Sequence, residues 1–322
     1  MFAVYAESFS TDDPLSGLVV GERPDPDAPE GWATIRVKAA SLNHHDLWSL
    51  RGVGLREEAL PMILGCDAAG YDEDGNEVVV HAVVSDPGWS GDETFDPKRS
   101  LLSERHQGTF ADSVVVPRRN VVPKPASLSF EEAACLPTAW LTAYRMLFTQ
   151  GGLKPGDSVL VQGAGGGVAT ALISLARAGG LRVFATSRDE SKRKRALEIG
   201  AHEVFESNER LPRKMDAVME TVGRATWSHS IRSLRPGGTL VVSGATSGPK
   251  LDDAELTRIY FLQMRVIGST MGTRDELASL TELLDVSGVR PLIDQVLPME
   301  QARDGFAAMA QGDVFGKVVF TR

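Results

Sequence analysis

One stretch, Ser158 to Arg188, constrains this chain more than any other. It reads SVLVQGAGGGVATALISLARAGGLRVFATSR, which is a strand, a glycine loop, a helix and a second strand in about thirty residues. The apolar, β-branched run Val159 to Val161 leads into a loop where Gly165, Gly166 and Gly167 carry no Cβ. Only such a backbone passes close to a pyrophosphate, whose oxygens then meet free N–H groups at the helix N-terminus. The G-x-G-x-x-G spacing is not met literally. Counting from Gly163 and Gly165 lands on Val168, whereas counting from Ala164 and Gly166 lands on Ala169. The second register puts a small residue at each demanding position. The pattern therefore predicts a dinucleotide-binding βαβ unit, with Ala164, Gly165, Gly166, Gly167 and Val168 lining the phosphates.

The end of the second strand selects among dinucleotides. Where a carboxylate would hold a free ribose 2′-hydroxyl, the chain has Ser187 and Arg188, with Lys192 and Arg193 one turn on. A hydroxyl and a guanidinium offer a 2′-phosphate charge-assisted hydrogen bonds of roughly 1.5–3 kcal/mol, which predicts NADPH over NADH. Lys194 and Arg195 read as a solvated helix face.

The remaining composition narrows the class. A length of 322 residues with 42% apolar content suits two compact domains. A net charge of −9 without a long basic tract argues against nucleic acid and for a small-molecule partner. Cys66 and Cys135 are the only cysteines, too few for a disulfide framework or a Cys-rich zinc module, which suits a reducing cytoplasm. The opening MFAVYAESFSTDDP lacks the pattern of a signal peptide, and the uncharged stretch Ser158 to Ala176 is a poor membrane span.

Along the chain, TIRVKAA, EVVVHAVV and FADSVVVP read as short strands separated by Gly, Pro and Asp clusters, an irregular, mostly β region reaching about Val122. The period turns helical in SLSFEEAACLPTAWLTAYRML, with Ser129 as N-cap. Strands then alternate with helices, and KMDAVMET, GGTLVVSGA and FLQMRVIGST each end in small residues, as parallel strands do at a ligand-binding edge. A helix at ELASLTELLDV precedes PLIDQVLPME, QARDGFAAMAQGD and a last strand, GKVVFTR, a tail expected to return to the first domain.

Taken in order, SLNHHDLWSLRG, PMILGCDAAG, GTFADSVVVP, LTAYRML, AGGGVA, RPGGTLVVSGA and VIGST resemble the medium-chain dehydrogenase/reductase superfamily across nearly the whole chain. Within it, the chain resembles the zinc-free quinone oxidoreductase and enone reductase branch. The resemblance implies an α/β protein with a GroES-like, mostly β catalytic domain at 1–125, a Rossmann NADP(H)-binding domain with a doubly wound parallel sheet at 126–268, and a returning segment at 269–322. It further implies a homodimer joined by edge-to-edge extension of the Rossmann sheet through MRVIGST.

The resemblance also frames the metal question. Where zinc-type relatives place a Cys, a His and a third ligand, this chain reads Asn43, Cys66 and Thr138, and an amide and a hydroxyl are weak zinc ligands. The loop SDPGWSGDETFDPKRSLLSERHQG lacks the four cysteines of the structural zinc lobe. No metal is expected. The alternative is a different site assembled from Cys66, Asp67, His44, His45 and Asp46; adjacent His44 and His45 cannot point the same way on a strand, and they lack the i, i+4 spacing of a helical pair.

Without a Lewis acid, the acceptor must already be electrophilic, such as a quinone or an α,β-unsaturated carbonyl. By position in the family motifs, Asn43 and Asp46 are expected to line the cleft, Asn43 as donor to the acceptor oxygen, with His44 or solvent as proton donor or relay. Thr138 and Thr142 are expected to face the nicotinamide, and Trp48 either walls the pocket or packs in the core. Ser243, Gly244 and Ala245 would lie under the nicotinamide, Ser269 and Thr270 near the pyrophosphate, and Lys317 would reach the phosphates. Two other readings remain: a zinc-type alcohol dehydrogenase, and a protein that binds NADPH as a sensor or structural component without turnover.

Overall fold

The computed structural model describes residues 1–322. The chain divides into two compact units, one made of Met1–Leu141 with Met271–Arg322 and the other of Thr142–Thr270. These limits differ from the expected 125/126 and 268/269. The helix Phe130–Ala134 packs on the strands Trp32–Ser41 and Asp67–Tyr71, so the start of the helical segment belongs with the β-rich unit.

The first unit is built on a seven-stranded sheet whose central strand, Trp32–Ser41, buries Ala33, Ile35 and Val37 on alternate positions. A register shift between Val37 and Ala39 breaks the alternation, and Ala39, Ala40 and Ser41 are then all buried. Two strands flank that end of it antiparallel: Asp67 lies opposite Ser41 on one side, and Val319 of the strand Lys317–Thr321 lies opposite Ser41 on the other. The core behind the sheet includes Leu42, Leu64 and Phe110, with Phe110 edge-on to both Phe306 and Phe320.

The second unit is a six-stranded parallel sheet. Its strands lie side by side as Glu203–Phe205, Arg182–Thr186, Ser158–Val161, Met215–Glu220, Leu234–Val242 and Arg265–Gly268. Numbered by chain order, that is 3-2-1-4-5-6, the doubly wound arrangement with its switch point after Ser158–Val161. Leu160, Phe184, Val218 and Leu240 form its core, and the helix Gly167–Ala178 follows the glycine loop.

The segment read as one long helix is less regular. Ser129 caps it, accepting from Glu132 N at 3.1 Å while Glu132 Oε2 accepts from Ser129 N at 2.9 Å. After Cys135 the hydrogen bonding widens to a π-type turn over Leu136–Trp140, where Pro137 cannot donate.

Candidate active site

In the first unit, four side chains from three separate segments converge on one buried carboxylate. Asp67 has no solvent exposure. Its Oδ2 accepts from Ser41 Oγ at 2.7 Å and from Asn43 Nδ2 at 2.8 Å, and its Oδ1 accepts from Thr138 Oγ1 at 2.6 Å. The ammonium of Lys317, 2% exposed, lies 3.5 Å from Oδ2 and donates to Asn43 Oδ1 at 2.6 Å and to the Leu42 carbonyl at 2.9 Å. Continuing the register of Lys317–Thr321 against Trp32–Ser41 brings Lys317 opposite Asn43, so the sheet itself delivers the cation. A buried charge without such partners is prohibitively costly.

This arrangement alters three expected roles. Asn43 Nδ2 spends its second hydrogen on the Ser41 carbonyl at 3.3 Å, so neither amide hydrogen is left for a ligand oxygen. Asp46 does not line a cavity: it is fully buried, and its carboxylate accepts from Asn43 N at 2.8 Å and Gly65 N at 3.0 Å, pinning the start of the helix His44–Leu50. Burial is the main reason its pKa rises to about 6, with Asp67 adding to the effect. Lys317 is enclosed by first-unit oxygens and has no ammonium hydrogen turned toward solvent, a different placement from a phosphate-reaching cation.

Because His44 and His45 lie on a helix, not a strand, they diverge by roughly 100°. His44 is exposed; desolvation of its ring, then the charges of Lys317 and Arg51, hold its pKa below the usual histidine value. His45 turns inward, with Nδ1 3.4 Å from Cys66 Sγ and Nε2 3.1 Å from Glu104 Oε1. Burial pushes the Cys66 thiol up, and Cys66 Sγ also donates to the Leu102 carbonyl at 3.2 Å. Trp48 is half-buried.

Two sets of residues bear on zinc. At the family's ligand places, Asn43 Oδ1 already faces an ammonium, and Thr138 is hydrogen-bonded to Asp67, so these residues do not fit the metal. The ligand atoms of His45, Asp46 and Cys66 lie within 4.8 Å of one another. Asp46, however, has a backbone N–H on each oxygen and the thiol has its own acceptor, so the cluster is satisfied as it stands.

The second unit gathers its expected residues along the carboxyl edge of the parallel sheet. Gly163 has φ of +71° and Gly165 +141°, conformations that favour glycine. A Cβ on Gly165 would sit 2.9 Å from Lys192 Cδ, so that side chain lies over the loop, whereas a Cβ on Gly166 would meet nothing within 4 Å. The helix begins at Gly167 with Gly166 as N-cap, Val168 in its first turn and Ala169 buried. Ala164 N donates to the Thr186 carbonyl at 2.7 Å. Ser187 is buried and Arg188 exposed at the next strand end. The adjacent carboxylate, Asp189, is taken up as the next helix cap, accepting from Ser191 N and Lys192 N. Ser243 N donates to the Glu220 carbonyl and Ser269 N to the Val242 carbonyl, while Ser269 Oγ is buried without a partner. Gly244, Ala245 and Thr270 continue those same turns, and Thr142 is buried in the helical segment that opens this unit.

Sequence reasoning missed what supports this edge. Glu220, fully buried, accepts from Val222 N, Gly223 N, Thr226 Oγ1 and Ser230 Oγ. Ser230 Oγ in turn accepts from Gln162 Nε2 at 2.9 Å, and Thr186 Oγ1 donates to Gln162 Oε1 at 2.6 Å. The signal was Gln162, a polar residue directly after an apolar strand. In the first unit Asp67 was named only as a possible metal ligand; the missed signal for its hub role was an acid among small apolar neighbours in CDAAG.

Comparison with known proteins identifies the family of the fold. Residues 29–126 match the family model of the alcohol dehydrogenase GroES-like domain, and residues 167–286 that of zinc-binding dehydrogenase. Acryloyl-coenzyme A reductase of Sulfurisphaera tokodaii is 26% identical over 95% of this chain and 97% of its own. Quinone oxidoreductase of Mus musculus is 28% identical over 86% of this chain and 85% of its own. A solved structure of an NAD-dependent alcohol dehydrogenase superposes with a TM-score of 0.91 at 33% identity, covering 100% of both chains. With that similarity across its full length, the chain belongs to the medium-chain dehydrogenase/reductase superfamily, as an oxidoreductase with quinone oxidoreductase and acryloyl-coenzyme A reductase relatives.

Proposed function

We propose that this chain is an NADPH-dependent, zinc-independent oxidoreductase that reduces a quinone or an α,β-unsaturated carbonyl. The observation that carries the reading is the donor set at the family's ligand places, where Asn43 and Thr138 are committed to Lys317 and Asp67. Such a site suits an acceptor that needs no Lewis acid. Bound NADPH would supply the hydride; the protein would hold the acceptor and place polar groups near the oxygen that gains charge. His44 and half-buried Thr138 keep a face open to a ligand, while Asn43 and Asp46 fix the scaffold beneath them.

Preference for the phosphorylated cofactor rests on Arg188, exposed at the strand end, and on the capping role that removes Asp189 from the ribose. The full-length structural relative is named for NAD, which makes this residue the point to test. The remaining cofactor contacts in this reading are Thr142, Ala164 to Val168, Ser187, Lys192, Ser243, Gly244, Ala245, Ser269 and Thr270. Ser269 Oγ, unpartnered in the protein, would gain a partner in the cofactor.

The reading extends to a homodimer in the cytoplasm. Arg265–Gly268 is an edge strand, and Leu256, Tyr260 and Phe261 beside it are 67%, 70% and 76% exposed. Both cysteines are free, and no helix is long and apolar enough to cross a membrane.

Loss of NADPH absorbance with benzoquinone, naphthoquinone, crotonaldehyde and acryloyl-CoA tests the activity, alongside metal content of protein purified without chelator. Turnover with no stoichiometric zinc is expected. Tight NADPH binding with no acceptor consumed would leave a binding protein instead, and stoichiometric zinc would overturn the metal-free reading. Arg188→Ala is expected to raise the KM for NADPH about tenfold to hundredfold while leaving that for NADH nearly unchanged. Equal effects on both cofactors would remove the assignment.

A further inference from the structure

Lys317 is the one ammonium in the buried cluster of the first unit, and the hydrogen bonds around it run in a single direction. Asn43 must present its oxygen to Lys317 and its amide hydrogens to Asp67 and the Ser41 carbonyl. The Thr138 proton is committed to Asp67, so Thr138 Oγ1 offers only lone pairs to a ligand. A carboxylate this close to a half-buried hydroxyl would oppose any negative charge arriving on a bound acceptor. Other ionisable groups near the cluster are Asp46 and His45 on the same helix, exposed His44, and the buried thiols of Cys66 and Cys135. None is a second ammonium or guanidinium within reach of Asp67.

We propose that Lys317 is a positioning residue for the reduction: its ammonium cancels the charge of Asp67 and, through Asn43 Oδ1, keeps the cluster fixed, so that an acceptor bound beside Thr138 can gain negative charge with no uncompensated carboxylate behind it. The inference rests on the hydride-transfer reading above and names the cation that serves it. At roughly 6 Å and an effective dielectric near 20, an uncancelled carboxylate opposes a developing oxyanion enough to slow the reaction about hundredfold.

The test compares Lys317→Met, Asp67→Asn and the double variant with crotonaldehyde and benzoquinone as acceptors. NADPH dissociation constants and melting temperatures without cofactor are measured on each protein. Lys317→Met is expected to lose about hundredfold in kcat and to melt earlier, with NADPH affinity within about threefold of wild type. The double variant is expected to recover both melting temperature and most of kcat, because no unpaired charge remains. Lys317→Ala adds a second arm: ethylammonium is expected to restore turnover where propanol of similar size does not.

Unchanged kcat in Lys317→Met, or a double variant no faster than the single one, would overturn the proposal. So would equal rescue by ethylammonium and propanol, which would mean packing alone. A tenfold loss of NADPH affinity with kcat intact would return Lys317 to the cofactor phosphates. Wild-type protein that consumes no acceptor would sink the functional reading itself and this proposal with it, a result distinct from a wild type that turns over and a Lys317 variant that matches it.

Discussion

Asp67 in the first unit and Glu220 in the second are both fully buried carboxylates, and their charges are met in different ways. Asp67 in the first unit has an ammonium for a partner, Lys317. Glu220 in the second has four donors and no cation: two backbone N–H groups and two hydroxyls. An ion pair in low dielectric stands or falls as a unit, since removing one member strands the other. A carboxylate held by several neutral donors weakens one hydrogen bond at a time. The first arrangement leaves little net charge in the β-rich interior, whereas the second keeps a net negative charge stabilised only by oriented dipoles.

The largest expected effect is a direct break of that contrast. Lys317→Met should destabilise the protein by about 3–5 kcal/mol in urea denaturation, and adding Asp67→Asn should recover most of the loss. If the single variant is as stable as wild type, the pair is not an all-or-none device. Next comes Asp46, whose carboxyl is raised to about 6 from 3.8 chiefly by burial. A folded value above the unfolded one means that ionised Asp46 costs about 3 kcal/mol above pH 6, a cost relieved as pH falls toward 4. Wild type should therefore gain stability relative to Asp46→Asn across that window.

Asp216 in the second unit should show the opposite sign. Burial opposes its ionisation, but hydrogen bonds from Arg235 and Ser158 outweigh it and bring the carboxyl down to about 2. Its contribution, about 2 kcal/mol, is present above pH 4 and fades as pH falls through 2. The advantage of wild type over Asp216→Asn should shrink between pH 4 and 2, and a constant difference would argue against the assignment. The smallest effect is expected at Thr226→Val, which removes one of four donors to Glu220 and should cost about 1.5 kcal/mol. A loss as large as that of Lys317→Met would erase the distinction between the two units.

What was legible in the sequence follows from distance along the chain. The strand, loop, helix and strand of Ser158 to Arg188 are local, and their periods and glycines identify them. The Ser129 cap is equally local. The first-unit site was less readable: Asn43, Asp46 and Thr138 were each singled out, but their hydrogens and oxygens are directed by Asp67 and by Lys317, which is 250 residues further along the sequence from Asp67. No periodicity carries that pairing. The helical setting of His44 and His45 was missed because two histidines side by side read equally well on a strand. Their divergence follows only once Asp46 caps the turn.

The strand Lys317–Thr321, placed against Ser41, has a consequence for biogenesis. As synthesis proceeds, Asp67 leaves the ribosome long before its counter-ion is translated, and the nascent β-rich half must tolerate an acid with no mate. Folding of that half is complete only once the strand Lys317–Thr321 docks against Trp32–Ser41. A chain cut before residue 317 would keep that interior acid without its cation.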